Sequence, residues 1–245
     1  MDGLRQGVDL YSTQSPGARR SWEGLAKTTH SFAQRLDESR RVTTAALLWD
    51  DAVTEYDARF LSDYLRELPI ELSDDFGRIV HSWSSDEKRH HEVILSVGQL
   101  SFGFQPSELA ARRPDFEPVA HLFDDEFSIL CLCAYDELAT VRGYTANLPI
   151  YDGLGPDFAV FMRRVIADEA WHYAAFLRAA ITGFPDRLLD VPKVIARIRG
   201  SEGLTYRSTF VLDHDSPVYG EAIFDEAARV LTAQFARAQS RTAAT

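Results

Sequence analysis

Cysteine is scarce: only Cys131 and Cys133 occur in 245 residues. Two positions apart on a helix, they point in different directions, which reads as reduced thiols in a cytoplasmic protein. No Cys-x-x-Cys is present, so the chain brings no rubredoxin-type or iron–sulfur module of its own. No apolar run approaches the roughly 20 residues that cross a membrane. The start, Met1-Asp2-Gly3, lacks the basic and apolar regions of a signal peptide. A basic excess is missing too: 26 Lys and Arg stand against 37 Asp and Glu, for a net charge of −11. That balance excludes nucleic acid as a partner. It also speaks against an acidic carrier protein unless basic residues cluster, for which Arg40-Arg41, Arg112-Arg113 and Lys193, Arg197 and Arg199 are the candidates. Strand patterning is absent outside Thr209 to Leu212.

What is present is helical periodicity around a repeated motif. Asp86-Glu87-Lys88-Arg89-His90 and Asp168-Glu169-Ala170-Trp171-His172 share the pattern Asp-Glu-x-x-His. On a helix, i and i+3 lie about 60° apart and about 4.5 Å along the axis, so one Glu and one His reach a common metal ion. The composition supplies roughly 0.4 Glu-x-x-His by chance, against two found. A single such motif is more often a solvated face; the pair favours metal.

The known template for such a pair is the ferritin-like di-iron or di-manganese bundle, which adds one Glu from each of two further helices. Glu55 and Glu137 fill those places, because each precedes its motif Glu (Glu87 and Glu169) by the same 32 residues. Arms of roughly 14 residues with a short turn would put both members of each pair at one depth of an antiparallel hairpin. Leu68-Pro69-Ile70 and Leu148-Pro149-Ile150 are expected at the two turns. Glu87, Glu137 and Glu169 sit in apolar stripes, where a carboxylate is costly unless neutralised. The stripe of Glu55 is partly polar, with Asp51 one turn away. Asp86 and Asp168 are placed to accept the outer N–H of the His on the opposite helix. Tyr56, Tyr135, Tyr144 and Tyr173 read as packing residues.

The expected fold is all-α: a ferritin-like four-helix bundle over residues 43–68, 74–98, 117–146 and 156–182. Residues 101–118 form a long crossover. A helix over 21–36 and others over 191–199 and 218–240 flank the bundle. Residues 1–20 read as a mobile segment and 21–245 as one domain.

The ligand segments resemble the soluble acyl-carrier-protein desaturases. Trp83 to His90 is similar to their second ligand helix, Ile166 to His172 to their fourth, Asp136-Glu137-Leu138-Ala139-Thr140 to their third and Val53-Thr54-Glu55-Tyr56 to their first. The resemblance runs weakly on into Pro217 to Leu231. It implies two iron ions held by Glu55, Glu87, His90, Glu137, Glu169 and His172, and a proton-handling Thr140 in an oxygen pocket. It further implies an acyl substrate on an acyl-carrier protein, an external donor such as ferredoxin, and a homodimer. Two features depart from the family: the chain is shorter than the plant enzymes, and Ala170-Trp171 stands where Lys-Arg is usual. Open alternatives are an N-oxygenase or hydroxylase of a small amine, with His91 or His214 as an extra ligand, an iron-storing or peroxide-scavenging bundle, and a metal-free interaction protein.

Overall fold

The computed structural model describes residues 16–202 and 220–242, with side chains described from Gly24 onward. Among these residues the chain is helical and without strands. Its helices are α1 (Pro16–Ala33), α2 (Glu38–Glu67), α3 (Asp74–Phe102), α4 (Pro106–Ala110), α5 (Glu126–Asp152), α6 (Pro156–Gly183), α7 (Val191–Ser201) and α8 (Glu221–Thr242). Short 3-10 turns cover Glu117–Leu122 and Pro185–Asp190. The segment Thr209 to Leu212 and His214 lie outside the described residues. No helix among the described residues is long and apolar enough to cross a membrane.

Local chemistry sets the helix ends. Asp37 starts α2 by accepting the Arg40 N–H at 2.9 Å, Ser73 starts α3 by accepting that of Phe76 at 3.1 Å, and Asp125 starts α5 by accepting that of Ser128 at 2.8 Å. Gly103 closes α3 with φ of 81°, a conformation that other residues adopt at a cost. α5 begins nine residues later than the expected 117, because Asp125 is the cap and Glu117–Leu122 turns separately. Pro149 is also not at a turn: it lies inside α5, and the chain reverses at residues 153–155. Proline there removes one helical N–H, which is tolerable because Pro149 and Thr145, four residues earlier, are both exposed. Gly155 makes the reversal at φ of 99°, with the Phe32 ring 2.5 Å from where a Cβ would stand.

α2 packs on α3, α5 on α6, and α3 on α6, so two helical hairpins face each other. α1 covers α3 and α6, while α7 and α8 lie on α5. α5 is the central helix, buried on every side from Phe127 to Ala139. The crossover is fastened to α2 by Arg112, whose guanidinium grips the fully buried Asp57 at 2.8 and 2.5 Å. Ser73 joins the hairpins, its N–H and hydroxyl donating to Glu126 at 2.6 and 2.7 Å.

The apolar core falls into two clusters. One contains Ala58, Trp83, Leu138 and Phe176; the other contains Ala52, Val93, Tyr144 and Val165. On α2, α3 and α6 the candidate ligands sit in the interval between these clusters, while Glu137 on α5 lies at the edge of the first, just before Leu138 and Ala139.

Candidate metal centre

Glu55 on α2, Glu87 and His90 on α3, Glu137 on α5, and Glu169 and His172 on α6 are all buried, none more than 5% exposed. They form two groups in each of which the possible ligand atoms lie within 4.8 Å of one another: Glu55, Glu87, His90 and Glu169, and Glu87, Glu137, Glu169 and His172. Glu87 and Glu169 belong to both. A carboxylate has two oxygens, so each of the two can serve both groups at once.

The histidines are aimed from outside. His90 Nε2 lies 3.1 Å from Asp168 Oδ2, and His172 Nε2 lies 3.2 Å from Asp86 Oδ2. Each Asp therefore faces the His of the opposite helix, and an N–H at Nε2 leaves Nδ1 pointing inward. His90 Nδ1 is 3.1 Å from Glu169 Oε1 and 3.3 Å from Glu55 Oε2. His172 Nδ1 is 2.8 Å from Glu169 Oε2, 3.4 Å from Glu87 Oε1 and 3.6 Å from Glu137 Oε2.

Three partners escaped the sequence reading. Arg89 bridges both aspartates, with Nη1 2.9 Å from Asp86 and Nη2 3.0 Å from Asp168. Its place within Asp86-x-x-Arg89 was a usable local signal; its reach to α6 was not. Tyr144, read as packing, donates its hydroxyl to Glu55 Oε1 at 2.5 Å. Tyr151 donates to the buried Asp51 at 2.9 Å, so the polar residue that weakened the case for Glu55 has an internal partner.

Thr140 follows Glu137 by one turn, is half-buried, and makes no hydrogen bond to any of the six. His91 turns the other way: its Nδ1 meets the Ala52 carbonyl at 2.9 Å, and its ring packs on Tyr56. The extra-ligand role considered for His91 is therefore not supported by its placement.

The donor set fits a pair of cations. Glu55 Oε2, Glu87 Oε1, His90 Nδ1, Glu137 Oε1 and Glu169 Oε1 are buried without a partner in hydrogen-bond geometry. Buried polar atoms are rarely left so, and here five come from one cluster. Without metal the charges must be balanced by protons. Burial, and then the neighbouring carboxylates, push Glu87 and Glu137 well above the usual carboxylate range. Burial works against charged His90 and His172, but Glu55 beside His90 and Glu169 beside His172 lead the opposing effects, and both imidazoles end well above the ordinary value. Glu169 goes the other way: burial raises it, but the two histidines hold it below the usual range.

These shifts fix the sign of a pH effect. Above the ordinary carboxylate value of 4.5, the folded metal-free chain holds protons on Glu87 and Glu137 that the unfolded chain has released; above 6.5 the same holds for the two histidines. Stability falls with pH wherever the folded state binds more protons. The melting temperature of the metal-free protein is therefore expected to fall between pH 5 and pH 8, while metal binding tightens over the same range as protons are displaced. A melting temperature that rises with pH in the presence of a chelator would contradict this assignment of protons.

No family model, curated protein or solved structure matches the chain. The centre is thus read from its own residues: a helical bundle whose buried Glu and His groups could hold metal ions, compatible with a di-iron ferritin-like protein.

Proposed function

We propose that the two groups hold two iron ions and that the protein is an O2-dependent oxidase, a desaturase or hydroxylase, acting on an acyl chain. The observation that carries this reading is the set of five buried ligand atoms that lack hydrogen-bond geometry and converge on one another in two groups that share Glu87 and Glu169. Glu55 and His90 would complete one metal position, and Glu137 and His172 the other. Two ferrous ions bound there would deliver two electrons to O2 and supply the oxidising power to take hydrogen from an unactivated C–H bond.

The chain's own residues do the rest. Carboxylate oxygens favour the oxidised ion, and two nitrogens complete the set. Asp86 and Asp168 fix the orientation of the imidazoles, and Arg89, between them, pairs with both. Burial raises Asp86, but its hydrogen bond to His172 and the charge of Arg89 outweigh that and hold it below its ordinary value, so it remains an acceptor. Tyr144 holds one Glu55 oxygen and leaves the other directed inward. The two apolar clusters exclude water on either side. Thr140, one turn beyond Glu137, is the candidate for proton handling.

Each turnover consumes one O2, two electrons and two protons. Desaturation removes two hydrogens from the substrate and forms two waters; hydroxylation inserts one oxygen and forms one water. The electrons come from an external one-electron donor such as a ferredoxin. A carrier-bound substrate, a homodimer and a cytoplasmic location complete the proposal.

The test is anaerobic loading with ferrous iron, addition of reductant and O2, and intact mass measurement of acyl-carrier-protein-bound chains. Loss of two hydrogens identifies a desaturase and gain of one oxygen a hydroxylase. Unchanged chains of every length, with iron held and O2 consumed, would exclude the carrier-bound substrate.

A further inference from the structure

Trp171 is the only exposed aromatic side chain among the described residues, 51% accessible, and it stands directly before the buried His172. The two rings meet edge to face, with centroids 5.7 Å apart. Trp171 holds in the second Asp-Glu-x-x-His the place that Arg89 holds in the first. In the first, the guanidinium closes the surface by pairing with Asp86 and Asp168. In the second, an indole runs from solvent to a candidate metal ligand. Tryptophan is enriched at protein interfaces, where its large ring is covered by a partner.

The surroundings of Trp171 suit a protein of opposite charge to most of this one. Its neighbours one turn away on α6 are Ala167, Ala174 and Ala175, which leave the indole standing clear of a low face. Two turns before and two turns after it, about 10 Å each way, are Arg164 and Arg178. Both are exposed, and neither forms an ion pair among the described residues. Of the other charged groups within two turns, Asp86 and Asp168 are taken up by Arg89. On α3, the exposed Glu92 lies one turn from the exposed Lys88. Lys88, Arg89, Arg164 and Arg178 thus stand against Asp86, Asp168 and Glu92, in a chain of net charge −11. An acidic partner meets less repulsion here than the chain as a whole offers, and two free guanidiniums to pair with.

We infer that Trp171 and the arginines on either side of it form the docking face for an acidic one-electron carrier protein, with the indole and His172 bridging the carrier's redox group and the centre. The inference rests on the reading of that centre as O2-activating iron and names the face at which its electrons enter. Each of the two electrons of a turnover oxidises one carrier molecule by one unit and reduces one ferric ion to ferrous. The indole is a bridge: no bond to it forms or breaks, and no proton moves. Contacts between electron carriers are small and short-lived, which one aromatic ring between two cations can provide.

The experiment is anaerobic stopped-flow reduction of the diferric full chain by a reduced plant-type ferredoxin, read as loss of ferric absorbance with no substrate and no O2 present. Its dependence on ferredoxin concentration gives a Kd and a limiting rate. Trp171→Leu should lower the limiting rate at least tenfold, and Trp171→Phe, which keeps a ring against His172, should recover most of it. Arg164→Glu with Arg178→Glu should raise the Kd at least tenfold at low ionic strength, a difference that fades as salt is added. Each variant should hold two irons and keep its helical melting transition; a residue that serves only the fold would change those and not the rate. Trp171→Leu reduced at the parental rate, a Kd that ignores the charge reversal, or a parent centre that dithionite reduces and ferredoxin does not would each overturn the inference and leave the centre standing. A chain that takes up no iron ends this inference and the reading of the centre together.

Discussion

Glu87→Leu is expected to abolish binding at both metal positions and, in the same molecule, to raise the melting temperature of the metal-free protein. Glu87 is one of two residues common to both ligand groups, so its loss takes an oxygen from each. Without metal, its carboxyl is a burden: it is buried, its Oε1 has no partner in hydrogen-bond geometry, and burial and then Glu169, Glu55 and Glu137 all oppose its ionisation. An unpartnered buried polar group costs about 1–3 kcal/mol. Replacing it with an apolar side chain of similar size should return that amount, a rise of roughly 2–12 °C for a chain of this length. Added ferrous iron should then stabilise the parent and leave the variant unmoved. A variant that melts lower than the metal-free parent would show that Glu87 is a structural residue; one that keeps two metals would remove it from the centre.

Asp168→Ala should weaken metal binding about 10–100-fold while leaving the helical fold intact. Asp168 is not a ligand in either group, and its side chain is 25% exposed. Its effect passes through His90, whose outer nitrogen it holds, and through Arg89, which would lose one of its two carboxylates. Without it the imidazole can rotate or carry its proton on the inward nitrogen. Asp168→Asn keeps an acceptor oxygen but not the charge, so its affinity should fall between the two. A residue that serves only the fold would lower stability in both variants without this graded change in affinity. Unchanged affinity in the alanine variant would exclude the positioning role.

The convergence of six side chains was legible because it depends on short-range geometry. Glu-x-x-His puts two groups on one helix face, and the equal 32-residue offsets put Glu55 beside Glu87 and Glu137 beside Glu169. The crossing of Asp86 to His172 and of Asp168 to His90 followed from that symmetry. What the sequence hid was set by contacts between distant elements. Tyr144 looked like a packing residue because its stripe is apolar, and only the facing helix shows where its hydroxyl goes. The same applies to Arg89 across α6 and to Arg112 on Asp57, 55 residues away. Pro149 misled as a turn marker, since a proline near an exposed helix end costs less than one in a buried interior.

The most decisive measurement is the iron content of the chain after anaerobic reconstitution and removal of excess metal, combined with X-ray absorption at the iron edge. Two irons per chain, bound by oxygen and nitrogen and separated by about 3.5–4 Å, is the expected result. A chain that retains no iron, or a single isolated ion, would contradict a paired centre built on Glu87 and Glu169.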